Sequence, residues 1–97
     1  MAYQENVLRT AGCIAHADHR PRVTSVDLHH IWPLGMGGPD LPHNWVILCP
    51  TGHRNVHTLL SMYVRLKATP PWAVRQKYHE RERSLAHAGY HRWKAGV

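Results

Sequence analysis

The order of apolar and polar positions predicts two strands and a long helix in the middle of the chain. Residues 23–31 are typical of a first strand, which Pro33 closes because proline has no N–H to donate to a sheet. Residues 45–48 form a continuous apolar run of the kind found in buried strands. Apolar residues then recur at helical spacing over residues 52–67, which predicts a helix that packs on the core.

Weaker patterns flank this centre. Residues 3–11 predict a short helix near the N-terminus. After a Pro-Pro break at residues 70–71, residues 72–87 predict a further helix. Gly89 is the expected end of that helix, because glycine is the usual residue just past a helix C-terminus. Residues 90–94 are then expected to form a mobile tail or a short helical turn.

Histidines are concentrated in the central segment. His53 and His57 are four residues apart and therefore fall on one face of the predicted helix, for which Thr51 is the expected N-cap. Two imidazoles on one face can hold a divalent cation, but a third ligand must come from elsewhere. The first strand offers His29 or His30, and a regular strand would point only one of them at the metal. The other histidine would then be available for acid–base chemistry.

The order of these residues resembles that of the HNH nucleases. The adjacent pair His29-His30 is followed by a glycine-rich loop, then by Asn44 before the apolar strand, and then by His53 and His57. Colicin-type DNases have a similar arrangement with a slightly different loop length. The resemblance implies an α+β fold with a ββα-metal (His-Me finger) core. This core is a two-stranded antiparallel hairpin followed by a helix, here with flanking N- and C-terminal helices.

The resemblance also implies a role for each residue. His29, His53 and His57 would bind the catalytic metal ion, and His30 would be the general base that takes a proton from water. Asn44 would hold the strands together and help orient the His30 ring. The implied reaction is metal-dependent hydrolysis of DNA phosphodiester bonds, as a nick or a double-strand cut. Zinc, nickel, manganese and magnesium all remain candidates for the divalent ion.

A second metal site is implied by the same resemblance, because many HNH proteins bind a structural zinc through paired cysteines. Cys13, His16 and Cys49 stand at three of the expected positions, but Gly52 occupies the fourth. Structural zinc sites almost always use four protein ligands. The alternative is that both cysteines are buried thiols and His16 is an ordinary surface residue.

Charge divides the chain into two parts. The 97 residues carry a formal charge of +6, and positive and negative residues cancel before residue 65. We therefore expect one nuclease domain over residues 1–97, with a neutral catalytic core over about 23–67 and a basic helical extension over about 70–97. The candidate DNA contacts are Arg54, Arg75, Lys77, Arg81, Arg83, Arg92 and Lys94. The aromatic residues among them, Tyr78, Tyr90 and Trp93, would either stack on bases or pack on the core.

Composition narrows the setting and leaves two other functions open. The sequence has no apolar run long enough to span a bilayer, and two cysteines are too few for a disulfide framework. We therefore expect a cytoplasmic protein that binds DNA but no membrane, with a monomer favoured. One alternative is a zinc-binding DNA module without catalysis, which would need neither His30 nor Asn44. The other is an accessory factor in phage DNA packaging or recombination.

Overall fold

An antiparallel hairpin opens the part of the chain that the structure describes. The structure is a computed structural model, and it describes residues 26–96. Strand β1 (Asp27–His30) pairs with strand β2 (Trp45–Leu48). Asp27 lies opposite Leu48, and His30 lies opposite Trp45. The predicted hairpin is therefore confirmed, and the whole of β2 is buried, as its apolar run indicated.

The loop between the strands contains two 3₁₀ turns, Leu34–Met36 and Pro42–Asn44. Two glycines between these turns are required by the backbone. Gly37 has a φ of 97°, which side chains other than glycine rarely adopt. A Cβ on Gly38 would lie 1.7 Å from the carbonyl oxygen of Trp32. The glycine-rich segment therefore folds tightly against the chain's own backbone at the end of β1.

Helix α1 (Pro50–Leu66) follows β2 with a single residue between them. The prediction that Thr51 caps this helix is wrong. Cys49 is the N-cap, and its Sγ accepts a hydrogen bond from the amide of Gly52 at 3.3 Å. Pro50 occupies the first helical turn, where its fixed φ suits a helix and its missing N–H removes no bond. The helix therefore begins earlier than the apolar spacing alone indicated.

The single helix predicted over residues 72–87 is two helices, α2 (Trp72–Arg75) and α3 (Glu80–Gly96). His79 begins the second helix. Its backbone N–H donates to Oε1 of Glu82 at 2.8 Å, and its Nδ1 accepts from the backbone N–H of Arg81 at 3.2 Å. This reciprocal pair has the geometry of a capping box and starts a new helix. Residues 90–94 are helical, as one of the two expectations had it, but they belong to the long helix α3 and form neither a mobile tail nor a separate turn.

One core joins the hairpin, α1 and α3. Both β2 and α3 pack against α1, and apolar side chains from these three elements form one cluster. Tyr90, only 7% exposed, stacks on Tyr63 of α1 with ring centroids 5.5 Å apart. Gly89 does not end a helix, because it lies inside α3 where a Cβ would be 2.4 Å from the carbonyl oxygen of Ile31. The expected α+β fold with a ββα core and a C-terminal helix is confirmed.

Some predictions fall outside residues 26–96. These are the helix over residues 3–11, the start of the first strand, and two of the candidate structural zinc ligands, Cys13 and His16. Within residues 26–96, none of the helices combines the length and the apolar character that crossing a bilayer requires.

Candidate metal centre

The alternation of β1 separates the two adjacent histidines. The side chain of His29 points inward and is 1% exposed, whereas the side chain of His30 is 18% exposed on the opposite face of the strand. His29 faces α1, where its ring centroid lies 5.2 Å from the centroid of His53 and 5.2 Å from that of His57. Of the pair, it is therefore His29 that joins the helical histidines.

The three imidazoles form a compact cluster. One nitrogen from each of His29, His53 and His57 lies within 4.8 Å of the others. The Nε2 atoms of His53 and His57 are 3.0 Å apart, as expected for side chains four residues apart on one helical face. The cluster therefore gathers three nitrogen donors from a strand and a helix around one point.

Asp27 determines which nitrogen His53 presents to this cluster. Its Oδ2 accepts a hydrogen bond from Nδ1 of His53 at 3.0 Å. Because a carboxylate only accepts, Nδ1 of His53 carries the proton and Nε2 carries the lone pair. Metal-binding histidines are typically oriented by such a carboxylate on the far side of the ring. Sequence reasoning missed Asp27, although its position two residues before His29 placed both on one face of the strand.

The environment of His29 fits a metal ligand. Neither ring nitrogen of His29 has a hydrogen-bond partner in residues 26–96, although both are shielded from solvent. Buried polar atoms are normally paired, so two orphaned nitrogens indicate a missing partner. Burial, and then the neighbouring histidines, lower the pKa of His29 from 6.5 to about 3. The same two causes, burial and then His53, lower the pKa of His57. Neutral imidazoles with free lone pairs are the form that binds a divalent ion.

His30 has a different partner from the one expected. Its Nε2 donates to Oδ1 of Asp40 at 2.8 Å, and Nε1 of Trp45 donates to the same oxygen at 3.0 Å. These two hydrogen bonds lower the pKa of Asp40, so its carboxylate is charged and can only accept. Nδ1 of His30 is therefore the nitrogen with the lone pair. No spacing rule in the sequence pointed to Asp40, because the contact depends on how the loop folds back.

Asn44 holds the loop rather than the His30 ring. Its side-chain amide donates to the carbonyl oxygens of Trp32 and Pro39, at 2.8 and 2.9 Å. Its Oδ1 accepts from the backbone N–H of Trp32 at 2.9 Å. The expectation that Asn44 ties the ends of the strands together agrees with these bonds. Within residues 26–96 the hydrogen-bond partner of the His30 ring is Asp40, so the expectation that Asn44 helps to orient that ring stays a prediction.

The candidate DNA contacts differ in how free their side chains are. Arg54, Lys77, Arg81 and Arg92 are exposed. Lys94 is also exposed, and its ammonium lies 5.8 Å from the ring centroid of Tyr90. Arg75 and Arg83 are half-buried, and one nitrogen of Arg83 is bonded to backbone carbonyls. Of the aromatic residues, Tyr90 belongs to the core, and Tyr78 and Trp93 pack against it. Cys49, the described member of the candidate structural zinc site, is buried at the start of α1.

A hairpin and helix that present three histidines from opposite sides define the ββα-metal architecture. The comparison with protein families agrees, since residues 12–59 match the model described as HNH endonuclease. The chain therefore contains a domain of the HNH endonuclease family. The matched segment contains His29, His30, Asn44, His53 and His57. No curated protein and no solved structure matches the chain significantly, and the closer likeness to colicin-type DNases stays a prediction.

Proposed function

We propose that the protein is a metal-dependent DNA endonuclease that hydrolyses phosphodiester bonds, and that residues 1–97 act as one nuclease domain. The observation that carries this proposal is the division of labour between neighbours on β1. His29 completes the cluster of imidazole nitrogens, and its own two nitrogens have no hydrogen-bond partner in residues 26–96. His30 lies on the opposite face of β1 and presents the lone pair of its Nδ1 there. A non-catalytic metal-binding module would need the first of these features and not the second.

The metal ligands in this proposal are His29, His53 and His57. Their donor set is three neutral imidazoles, which favours a transition metal such as zinc or nickel and leaves coordination positions open. Asp27 holds the His53 ring so that Nε2 faces the cluster. When bound, the divalent ion supplies Lewis-acid stabilisation of the charge that develops on the phosphate and on the leaving oxygen.

His30 provides the proton transfer. Its Nδ1 takes a proton from water as the water oxygen forms a bond to phosphorus. The bond from phosphorus to the 3′-oxygen breaks, and the departing oxygen takes a proton from solvent water, which leaves a 5′-phosphate and a 3′-hydroxyl. Asp40 holds the ring through Nε2 and stabilises the imidazolium that forms. A carboxylate placed in this way fixes both the tautomer and the orientation of a catalytic histidine.

Plasmid cleavage across a metal series tests the proposal. The full chain is freed of metal with a chelator, reloaded with zinc, nickel, manganese or magnesium, and incubated with supercoiled plasmid. We expect divalent-ion-dependent conversion to nicked or linear DNA, lost in His30→Ala and kept in His43→Ala. His43 is the matched control because it is an exposed histidine in the loop between the two strands. Cleavage by none of the metal forms, with tight metal and DNA binding, would favour the non-catalytic module instead.

A further inference from the structure

A second site lies away from the histidine cluster, where the end of α1 meets α2 and α3. It is an open pocket of about 310 Å³. Three of its side chains are basic and three others end in hydroxyl groups. The basic ones are Arg75, Arg83 and His87, and the hydroxyl-bearing ones are Tyr63, Thr69 and Ser84. None of these residues takes part in the hydrolysis described above.

Arg75 has unused hydrogen-bonding capacity. Its side chain is half-buried, and Nε is shielded from solvent without any hydrogen-bond partner in residues 26–96. Buried donors in folded proteins are nearly always paired. No carboxylate of residues 26–96 forms an ion pair with this guanidinium. The Arg75 guanidinium lines a pocket and can therefore donate hydrogen bonds to a ligand that enters it.

Arg83 is held in place beside it by the backbone. Its Nη1 donates to the carbonyl oxygen of Arg75 at 3.0 Å and also to the carbonyl oxygen of Tyr78. A guanidinium has five N–H donors, so the bonds through this one nitrogen leave donors on the other two. Arg83 also forms no ion pair with a carboxylate in residues 26–96. The guanidinium group of Arg83 is therefore held in a fixed orientation in the pocket before any ligand binds.

Tyr63 lines the same pocket as the two arginines. Burial raises the pKa of its hydroxyl, and the positive charges of Arg75 and Arg83 act in the opposite direction. The phenol is therefore neutral and can donate a hydrogen bond. Glu80 is the one carboxylate that lines the pocket, and it is exposed in the first turn of α3. Two arginines against one glutamate leave the pocket positive.

We propose that this pocket binds a phosphate group. Guanidinium groups donate paired hydrogen bonds that match the oxygens of a phosphate, and neighbouring hydroxyls can donate to the oxygens that remain. The phosphate has two available sources, the DNA backbone and free phosphate. Only the first source rests on the proposed function. Tyr63 follows His57 by six residues, about 9 Å along the axis of α1, so the helix that carries two of the histidines also lines the pocket.

Titration of the full chain with inorganic phosphate tests the site directly. The readout is the NMR signals of the His87 ring and the Ser84 amide, at constant ionic strength. We expect these signals to shift with a saturable dependence on phosphate concentration. Arg75→Gln should weaken the phosphate affinity by about tenfold or more, the usual effect of losing a hydrogen bond to a charged group. Arg65→Gln is the control, because it removes the same charge from an exposed position outside the pocket. Absence of saturable shifts, or equal weakening in both variants, would overturn the proposal.

Two additions keep the result interpretable. Arg75→Lys retains the charge and loses the paired donors, so it should weaken phosphate binding while leaving the thermal unfolding midpoint unchanged. Binding of uncleaved duplex by metal-free protein at several salt concentrations then identifies the source. If Arg75→Gln loses the phosphate shifts and lowers the salt slope by about one, the ligand is the DNA backbone. If it loses the shifts with an unchanged slope, the ligand is free phosphate. Neither readout depends on cleavage, so a failed nuclease assay leaves this test intact.

Discussion

The hairpin with α1 and the segment from α2 to α3 use titratable residues in opposite ways. In the first region, burial keeps imidazoles neutral and leaves the two nitrogens of His29 without partners. In the second, arginines and lysines remain charged, either exposed or around an open pocket. The chemistry proposed for the first region therefore depends on desolvation and geometry. The binding proposed for the second region depends on net charge and on salt. Variants should separate these two dependences.

The largest expected effect is the loss of DNA cleavage in the His30→Ala variant. We expect the rate to fall by about 10²–10⁴-fold, the usual contribution of a positioned general base, with metal affinity unchanged. His29→Ala should lose metal binding and cleavage together, because two imidazoles remain. Calorimetric metal titration beside plasmid cleavage measures both quantities. Loss of the metal from His30→Ala would show that the two roles are assigned the wrong way round.

Asp27→Asn should weaken the metal site without removing a ligand. An asparagine can no longer fix the tautomer of His53 as a carboxylate does, and such partners typically contribute about 10–100-fold to metal affinity. Competition with a chromogenic chelator measures the change. Glu80→Gln is the matched control, because it neutralises an exposed acid on α3. Equal affinities in Asp27→Asn and the wild type would mean that the His53–Asp27 bond has no part in the site.

Acid should destabilise the metal-free protein through His29. Its pKa is about 3 in the folded state and 6.5 in the unfolded state, so the unfolded state binds the extra proton first. Stability from this group is complete above pH 6.5 and is lost as the pH falls from 6.5 towards 3, by up to about 1.4 kcal/mol per pH unit. Urea unfolding at several pH values measures this slope. His29→Leu should flatten it, and an unchanged slope in that variant would contradict the assignment.

The smallest effects are expected from the exposed charges of α3. Arg92→Gln and Lys94→Gln should each weaken DNA binding a few-fold and lower the salt slope by at most about one, with the cleavage rate at saturating DNA unchanged. Filter binding at two salt concentrations is sufficient. Deleting residues 89–97 would not isolate the effect of charge, because it also removes Tyr90 from the core. A large fall in cleavage at saturating DNA would show that these residues also act in the first region.

The sequence predicted elements whose pattern is local and missed contacts that depend on the folded loop. Strand alternation and the four-residue spacing of His53 and His57 predicted two helical ligands and one from the strand, because both follow from backbone geometry. The choice of His29 over His30 came from the resemblance to the HNH nucleases. The contact between His30 and Asp40 joins residues ten positions apart across the loop between the strands, for which no periodicity exists. The break between α2 and α3 did leave a local signal. Glu82 three residues after His79 has the spacing of a capping box, with a histidine in place of the usual serine or threonine.

The contact between Gly89 and the carbonyl of Ile31 has a consequence for redesign. A glycine is needed where α3 crosses the end of β1, because there is no room for even one methyl group between them. The helix that carries the positive charge and the strand that carries His29 and His30 are thus fitted to each other backbone to backbone. A protein engineer who wished to graft the histidine cluster onto another scaffold would therefore need more than the hairpin and α1. The smallest unit that could be transferred includes α3, with Gly89 kept against the carbonyl oxygen of Ile31.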